Sequence, residues 1–329
     1  MSETNKGNPI PALKEISILE MENVRIGSAQ DEAAGTGVTV VLCGGKDGAP
    51  AGLDVRGGGP ASRESELLKP MAAAQAIHAV LLSGGSAFGL DAAGGVMQYL
   101  EERGIGFDVG VTRVPLVCQS CLFDLTVGDS RVRPDRAMGY RACQNAGNYR
   151  DGCFGAGTGA TVGKLLGMER CMKAGIGSYA VRLGELQVGA LAAVNALGDI
   201  LDPRTGKKVA GVLTPDRRRL EAPAPITGYQ VVENKFVGNT TLGVVMTNAR
   251  FDKAQLCKIA GMAHDGYARC IRPVHTTADG DSIYALSLGD VRADQDVVGA
   301  LAADVMSEAI LRAVSTATSA YGFPAVGSL

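Results

Sequence analysis

Three histidines and no tryptophan in 329 residues leave little material for metal chemistry. No H-E-x-x-H or comparable ligand cluster is present, which argues against a catalytic metal, and no other cofactor is expected. Eight cysteines are too sparse for a disulfide scaffold, and Cys43, Cys143, Cys257 and Cys270 sit inside apolar runs, as reduced buried thiols do. The Cys118-x-x-Cys121 pair has no second pair of ligands at zinc spacing, so packing or incidental thiols is the simpler account. Charge of one sign is also missing. With 32 Lys+Arg against 34 Asp+Glu the net charge is −2, without the basic surplus of a nucleic-acid binder. No 18-residue uncharged apolar run occurs; the best candidate, Leu186 to Leu201, is interrupted by glycine and contains Asp199, so no membrane span is expected. The first residues, MSETNKGNPIPALKEIS, lack the cationic start and apolar stretch of a secretory signal, and a soluble, cytoplasmic protein is expected.

What is plentiful is glycine. The 45 glycines are about 14 % of the chain, roughly twice the usual share. With 13 prolines and no G-X-Y period this is not collagen, so the glycines serve tight turns or close backbone approach. Hydrophobic residues at 46 % and charged residues at 20 % describe a globular protein long enough for one large or two ordinary domains.

Apolar runs of strand length recur at Gly37 to Cys43, Ile77 to Leu82, Ser178 to Leu183, Leu186 to Asn195, Thr240 to Thr247 and Ile283 to Leu288. Three segments have helical spacing instead. Ser86 to Arg103 places Leu90, Ala93, Met97 and Leu100 on one face, and Asp252 caps a helix that Pro273 stops. Asp294 to about Ala320 carries a stripe of Val297, Leu301, Val305, Ala309 and Val314. Small residues within these helices predict close packing on a sheet. The basic, proline-containing stretch from Asp202 to Gly238 reads as a long exposed loop leading into the strand at Thr240.

Several motifs fall short of familiar chemistry. In GAGTGATVGK, Gly155 to Lys164, the first glycine of a P-loop should stand at Thr158, and Leu165 occupies the place of the magnesium-binding hydroxyl. The match to G-x-G-x-x-A lacks a preceding buried strand, since Asn145 to Phe154 is polar and turn-like. A glycine turn that delivers Lys164 to a site is the better account. Around Ser86, GGSAFG has Phe88 where a nucleophile elbow needs glycine, which leaves Ser86 as a helix N-cap. His78 reads as a core residue in a strand, His264 lies on a helix, and His275 ends a loop-entry segment.

The junction at Asn239-Thr240 is different. A hydroxyl residue at a strand start is commonplace, yet a threonine whose own α-amine acts as base is a complete nucleophile in one residue, provided the chain is cut just before it. Downstream, Asp279 and Asp281 flank Gly280, where two carboxylates could form a turn, take a proton, or hold the nucleophile in position.

At these residues the sequence resembles the DmpA, or L-aminopeptidase/D-esterase, family, which includes β-peptidyl aminopeptidases and the endo-type 6-aminohexanoate-oligomer (nylon-oligomer) hydrolase. The resemblance runs through GTGVTVVLC, DVRGGGPASRESELL, LSGGSAFGLDAAGGV, GATVGK, VGNTTLGVVMTNAR and RPVHTTADGDSIYAL, in order, to the last helix. It implies an α/β fold, a four-layer αββα sandwich of the DmpA/ornithine acetyltransferase type, forming a single domain over residues 1–329. It implies self-cleavage between Asn239 and Thr240 into an α chain, 1–239, and a β chain, 240–329. By position Thr240 matches the family's nucleophile, Asp279 and Asp281 the aspartate pair that orients it, and Lys164 and Asn195 the active-site lysine and asparagine, the latter an oxyanion donor. Phe123 stands where the nylon-oligomer hydrolase has an active-site tyrosine, so a hydroxyl is missing from the substrate-binding surface. The resemblance further implies a small peptide or oligoamide substrate, cleaved as amide or ester, and a homo-oligomer, a tetramer of αβ units. Two alternatives stay open at this level: an ornithine acetyltransferase-like acyltransferase using the same nucleophile, and a non-catalytic chain that binds small molecules uncut.

Overall fold

The computed structural model describes residues 12–222 and 238–329. Two sheets face each other. One has six strands in the order β1 (Leu13–Ile16), β8 (Ile176–Leu183), β9 (Leu186–Asn195), β10 (Thr240–Ala249), β11 (Ser282–Val291) and β4 (Ala51–Val55). The other runs β2 (Val24–Asp31), β3 (Thr36–Cys43), β6 (Ala79–Ser83), β7 (Val117–Cys121) and β5 (Ala61–Arg63). Neighbours are antiparallel except β10 with β11 and β6 with β7. Each parallel pair needs a crossover, and a helix supplies it: α1 (Ala93–Glu101) between β6 and β7, α3 (Lys253–Cys270) between β10 and β11. With α2 (Arg136–Gln144) beside α1, and α4 (Gln295–Ser315) beside α3, the layers are helix, sheet, sheet, helix. The αββα sandwich expected from the sequence is therefore observed.

Alternation along the strands builds the layers. On β10, Leu242, Val244 and Met246 enter the core between the sheets, whereas Val245 and Ala249 enter the core beneath α3 and α4. Strands covered on both faces read as continuous apolar runs, and all ten residues of β9 are buried.

Caps fix the helix starts. Asp252 accepts from Gln255 N while the Gln255 side chain reaches back to Asp252 N, a reciprocal box. Asp294 accepts from Asp296 N and Val297 N, and Asp135 from Met138 N. Close packing of helix on sheet is equally literal. A Cβ on Gly177 of β8 would lie 2.2 Å from the Ala309 carbonyl oxygen of α4.

Several expectations need correction. Ser86 is not an N-cap: Gly85 holds that position, Ser86 itself has φ +52°, and a 3-10 turn over Ser86–Ala92 precedes α1. In α4 the predicted stripe holds only in part. Val297 is 46 % exposed, while Val298, Ala302, Val305, Met306, Ala309 and Ile310 are buried, because the sheet and α3 both cover this helix. The exposed-loop reading of 202–238 fails over its middle. Residues Lys208–Ala210 pair with Asp199–Leu201, which also pairs with Ile271–Arg272, and Val212 and Leu213 are fully buried. Lys208 reaches Asp199 at 2.8 Å in the interior. Residues 223–237 of that stretch lie outside the described residues. Among the described residues, no helix is long and apolar enough to cross a membrane.

Candidate active site

Strand register places the first pair. In the β9–β10 ladder Asn195 is the direct partner of Thr240, so their side chains share one face and point into the space between the sheets. Both are buried, Asn195 completely. The Thr240 hydroxyl lies against the carbonyl of Asn239, to which it donates, and accepts from Gly280 N–H at 3.0 Å. The hydroxyl oxygen is thus held beside the carbonyl of its own preceding peptide, with the Gly280 N–H on one lone pair.

The Gly155 to Lys164 turn brings in the lysine. Lys164 Nζ donates to Asn195 Oδ1 at 2.7 Å and to the Asn195 carbonyl at 3.0 Å. These contacts, with Thr161 N–H on the same Oδ1 at 3.1 Å, orient the Asn195 amide so that Nδ2 donates to the Phe123 carbonyl at 2.7 Å. One of the two Asn195 N–H donors is thus committed in the uncut chain. Burial pulls the Lys164 ammonium down to about 8, opposed by negative charge from Cys171, Asp279 and Asp124.

The aspartates divide their work. Asp281 takes Thr241 N–H at 2.7 Å with Oδ1, and with Oδ2 takes His275 N–H at 3.1 Å and faces His275 Nδ1 at 2.9 Å. Asp279 accepts from the Thr276 N–H and hydroxyl. Burial and the Asp281 charge push the Asp279 carboxyl up to about 6. Phe123 comes to the site by its ring: a Cβ on Gly238 would lie 2.1 Å from it, and Gly238 holds φ +93°, so only glycine fits beside the ring one residue before Asn239.

Of the seven residues singled out from the sequence, hydrogen bonds and strand register join Phe123, Lys164, Asn195, Asn239, Thr240 and, through Thr241, Asp281, while Asp279 precedes the Gly280 whose N–H reaches Thr240. Two were missed. His275 was read only as a loop residue, although it stands six positions from Asp281 and spans the loop to bond it. Asp124, buried next to Phe123, accepts from Thr36 Oγ1 and Gly85 N–H, both at 2.7 Å, and its carboxyl is raised by burial. No spacing in the sequence marks Asp124; only the fold carries it toward Lys164.

The cysteine pair plays no part in this geometry. Cys118 and Cys121, three apart on β7, point to opposite faces, and burial pushes the Cys121 thiol up to about 12. His78, in keeping with a core role, is buried and its Nδ1 accepts from Leu116 N–H at 3.1 Å.

Comparison with known proteins agrees with the architecture. The family description "Peptidase family S58" matches residues 17–326. An uncharacterized aminopeptidase of Mycobacterium leprae (strain TN) is 38 % identical over 94 % of this chain and 92 % of its own length. A 6-aminohexanoate-oligomer endohydrolase of Agromyces sp. (strain KY5R) is 31 % identical over 91 % of this chain and 86 % of its own. Among solved structures, a Burkholderia sp. beta-aminopeptidase superposes with a TM-score of 0.70 at 19 % identity, covering 98 % of this chain and 93 % of that one. The L-aminopeptidase D-Ala-esterase/amidase of Ochrobactrum anthropi, described as a variant of the Ntn hydrolase fold, gives 0.68 at 18 %, covering 91 % and 86 %. The shared architecture is therefore that of the N-terminal-nucleophile hydrolases, and the chain belongs to peptidase family S58, a family of hydrolytic enzymes.

Proposed function

We propose that this chain is a self-processing N-terminal threonine hydrolase that cleaves amide and ester bonds of short peptides or ω-amino-acid oligomers. The observation that carries the reading is the Thr240 hydroxyl packed against the Asn239 carbonyl with Gly280 N–H on its oxygen. In processing, Oγ1 attacks the Asn239 carbonyl carbon and the C–N bond breaks. The hydroxyl proton ends on the departing nitrogen, leaving Asn239 esterified to Thr240; water then hydrolyses that ester. The products are the Asn239 carboxylate and a free Thr240 amine.

That amine starts from a pKa of about 7.7–8.0. A protonated Lys164 nearby lowers it further by like-charge repulsion, so it is partly neutral at pH 7 and serves as base for the hydroxyl. In turnover the same oxygen takes the acyl group of a substrate, the leaving amine or alcohol departs with the proton, and water releases the acid. The uncommitted Asn195 N–H is the donor for the oxyanion, a role on the order of 2.7–4 kcal/mol in barrier height. Phe123 supplies an apolar face for the acyl portion where Gly238 sits before cleavage. We further propose that αβ units assemble as a homotetramer. The match to a peptidase family favours water over an amine as acyl acceptor.

The test is intact mass of the purified protein, followed by a panel of aminoacyl anilides and 6-aminohexanoate oligomers. Two chains split at Asn239-Thr240 are expected from the wild type, and one uncut, inactive chain from Thr240→Ala. A Thr240→Ala protein that still runs as two fragments would falsify the assignment.

A further inference from the structure

The strand that begins with the nucleophile has a second face, and polar atoms gather behind it. Thr241 and Gly243 lie on the helix side of β10, opposite the Thr240 hydroxyl, since their neighbour Val245 enters the core under α3 and α4. Facing them from α3 are His264 and Tyr267, and from the loop after it His275. The three rings lie close together: His264 to His275 at 4.8 Å between centroids, His264 to Tyr267 at 5.1 Å, Tyr267 to His275 at 5.9 Å. A Cβ on Gly243 would stand 2.8 Å from the Tyr267 hydroxyl, so that ring presses directly on the catalytic strand.

Hydrogen bonding fixes the tautomers. A carboxylate only accepts, so His275 Nδ1 carries the proton given to Asp281 Oδ2. A carbonyl only accepts, so His264 Nε2 donates to Asp54 O at 3.1 Å. The other ring nitrogens, His275 Nε2 and His264 Nδ1, together with Tyr267 Oη and Thr241 Oγ1, are buried with no hydrogen-bond partner among the described residues. Folded proteins seldom keep four such atoms at one place without a use for them. The charged and titratable groups around His275 are Asp281 from its own loop and His264 and Tyr267 from α3, with Asp54 and Arg56 behind His264.

Asp281 is held by three N–H groups, those of Thr241, the His275 backbone and the His275 ring. Only the last comes from a side chain, and because His275 holds φ +56°, a replacement that removes it must also accept the left-handed region. We propose that His275 is a positioning residue: through Asp281 it fixes the Thr240-Thr241 backbone, and with it the aim of the Thr240 hydroxyl and amine, while Tyr267 and His264 wall its ring in place. The inference rests on the Thr240 reading. Losing the ring N–H leaves Asp281 Oδ2 with the His275 backbone N–H alone, which loosens the carboxylate and with it the grip of Oδ1 on Thr241 N–H. The effect falls on bond formation at Thr240, not on substrate binding.

The experiment uses the full chain and compares His275→Asn, whose amide N–H occupies the Nδ1 position, with His275→Leu, which has no donor, and with His275→Gly, which also lacks the donor but accepts the φ of +56°. Self-cleavage is followed by intact mass, and kcat and KM are measured on an aminoacyl anilide. The leucine variant is expected to slow both self-cleavage and kcat at least about 30-fold with KM within about threefold, and the asparagine variant to recover most of that loss. Wild-type behaviour of His275→Leu, equal loss in His275→Leu and His275→Asn, or recovery in His275→Gly equal to that in His275→Asn, overturns the proposal. Should the leucine variant not fold, His275→Gln replaces it, because its amide reaches the Nε2 position; activity equal to that of His275→Asn then overturns the proposal. A wild-type chain that stays whole overturns the Thr240 reading and this inference with it, which separates that failure from failure at His275 alone.

Discussion

Asp279 is a residue whose folded environment works against its charge. Its carboxyl is raised to about 6 by burial and by Asp281, against roughly 3.9 in an unfolded chain. Between those values the folded state binds more protons than the unfolded one, so stability falls as pH rises through that window and stays lowered above it. Replacing Asp279 by Asn removes the penalty. In a Thr240→Ala background, which keeps the chain whole, Asp279→Asn is expected to raise unfolding free energy at pH 7.5 by on the order of 1–3 kcal/mol. The gain should shrink toward pH 4, and urea titrations at the two pH values check it. A gain independent of pH would remove the electrostatic explanation. At this scale the sequence was informative where a residue carries its own signature: Asn239-Thr240 at a loop-to-strand junction, Asp279 and Asp281 about a glycine. It was silent for Asp124, because burial against Thr36 and Gly85 is a property of the fold and not of neighbours in the chain.

Elements were legible in proportion to how one-sided their surroundings are. Strand β9 runs from Leu186 to Asn195 as its apolar run predicts, and α3 begins after Asp252 as its cap predicts. Helix α4 was found at the right place with a stripe that is right at Val305, Ala309 and Val314 and wrong at Val297, since a helix covered by a sheet on one side and by α3 on another has no single apolar stripe to read. Helix α2 carries two arginines in nine residues, and its buried face is only Met138, Gly139, Ala142 and Cys143, too short and small-sided to stand out; Asp135 is its clearest sequence mark. The short strand Lys208–Ala210 was hidden by its charge, because the Lys208 ammonium is taken in by partners the sequence does not mark, Asp199 and the Val212 carbonyl. Glycine matters at this scale more than at the site. Beside Gly280, whose Cβ would lie 2.7 Å from the Thr240 hydroxyl, stand Gly177 and others that let helices touch sheets far from it. Gly177→Ala sets a methyl against the Ala309 carbonyl and the Ala313 N–H, 2.2 and 2.3 Å away. A loss of about 1–3 kcal/mol is expected from such overpacking, measured as a lower urea midpoint with an unchanged m-value. No loss would mean that α4 shifts freely on β8.

The order of strands in the six-stranded sheet governs the whole molecule. Residues 240–329 supply β10 and β11, and these sit between β9 on one side and β4 on the other, both from the earlier part of the chain. The same segment supplies α3 and α4, which cover that sheet. A cut before Thr240 therefore breaks one covalent bond and none of these ladders. The two pieces are expected to co-elute in native size-exclusion chromatography, even in molar salt, and to separate only in denaturant. Separation under native conditions would show that the bond before Thr240 holds the layers together.

If the chain is cut before Thr240 as proposed, placing β10 and β11 inside the sheet gives it a folding history it cannot repeat. The intact chain assembles this sheet as an intramolecular event, with the ends of every strand tethered. After cleavage the same arrangement must be reached by two separate polypeptides that meet in solution, each exposing the apolar strands the other would cover. Recovery from unfolding then depends on concentration and competes with aggregation, whereas the uncut Thr240→Ala chain refolds at a rate independent of dilution. Under the proposed cleavage, the step that frees the Thr240 amine would also make unfolding close to irreversible, and the lifetime of the cut protein would be set by how slowly it opens.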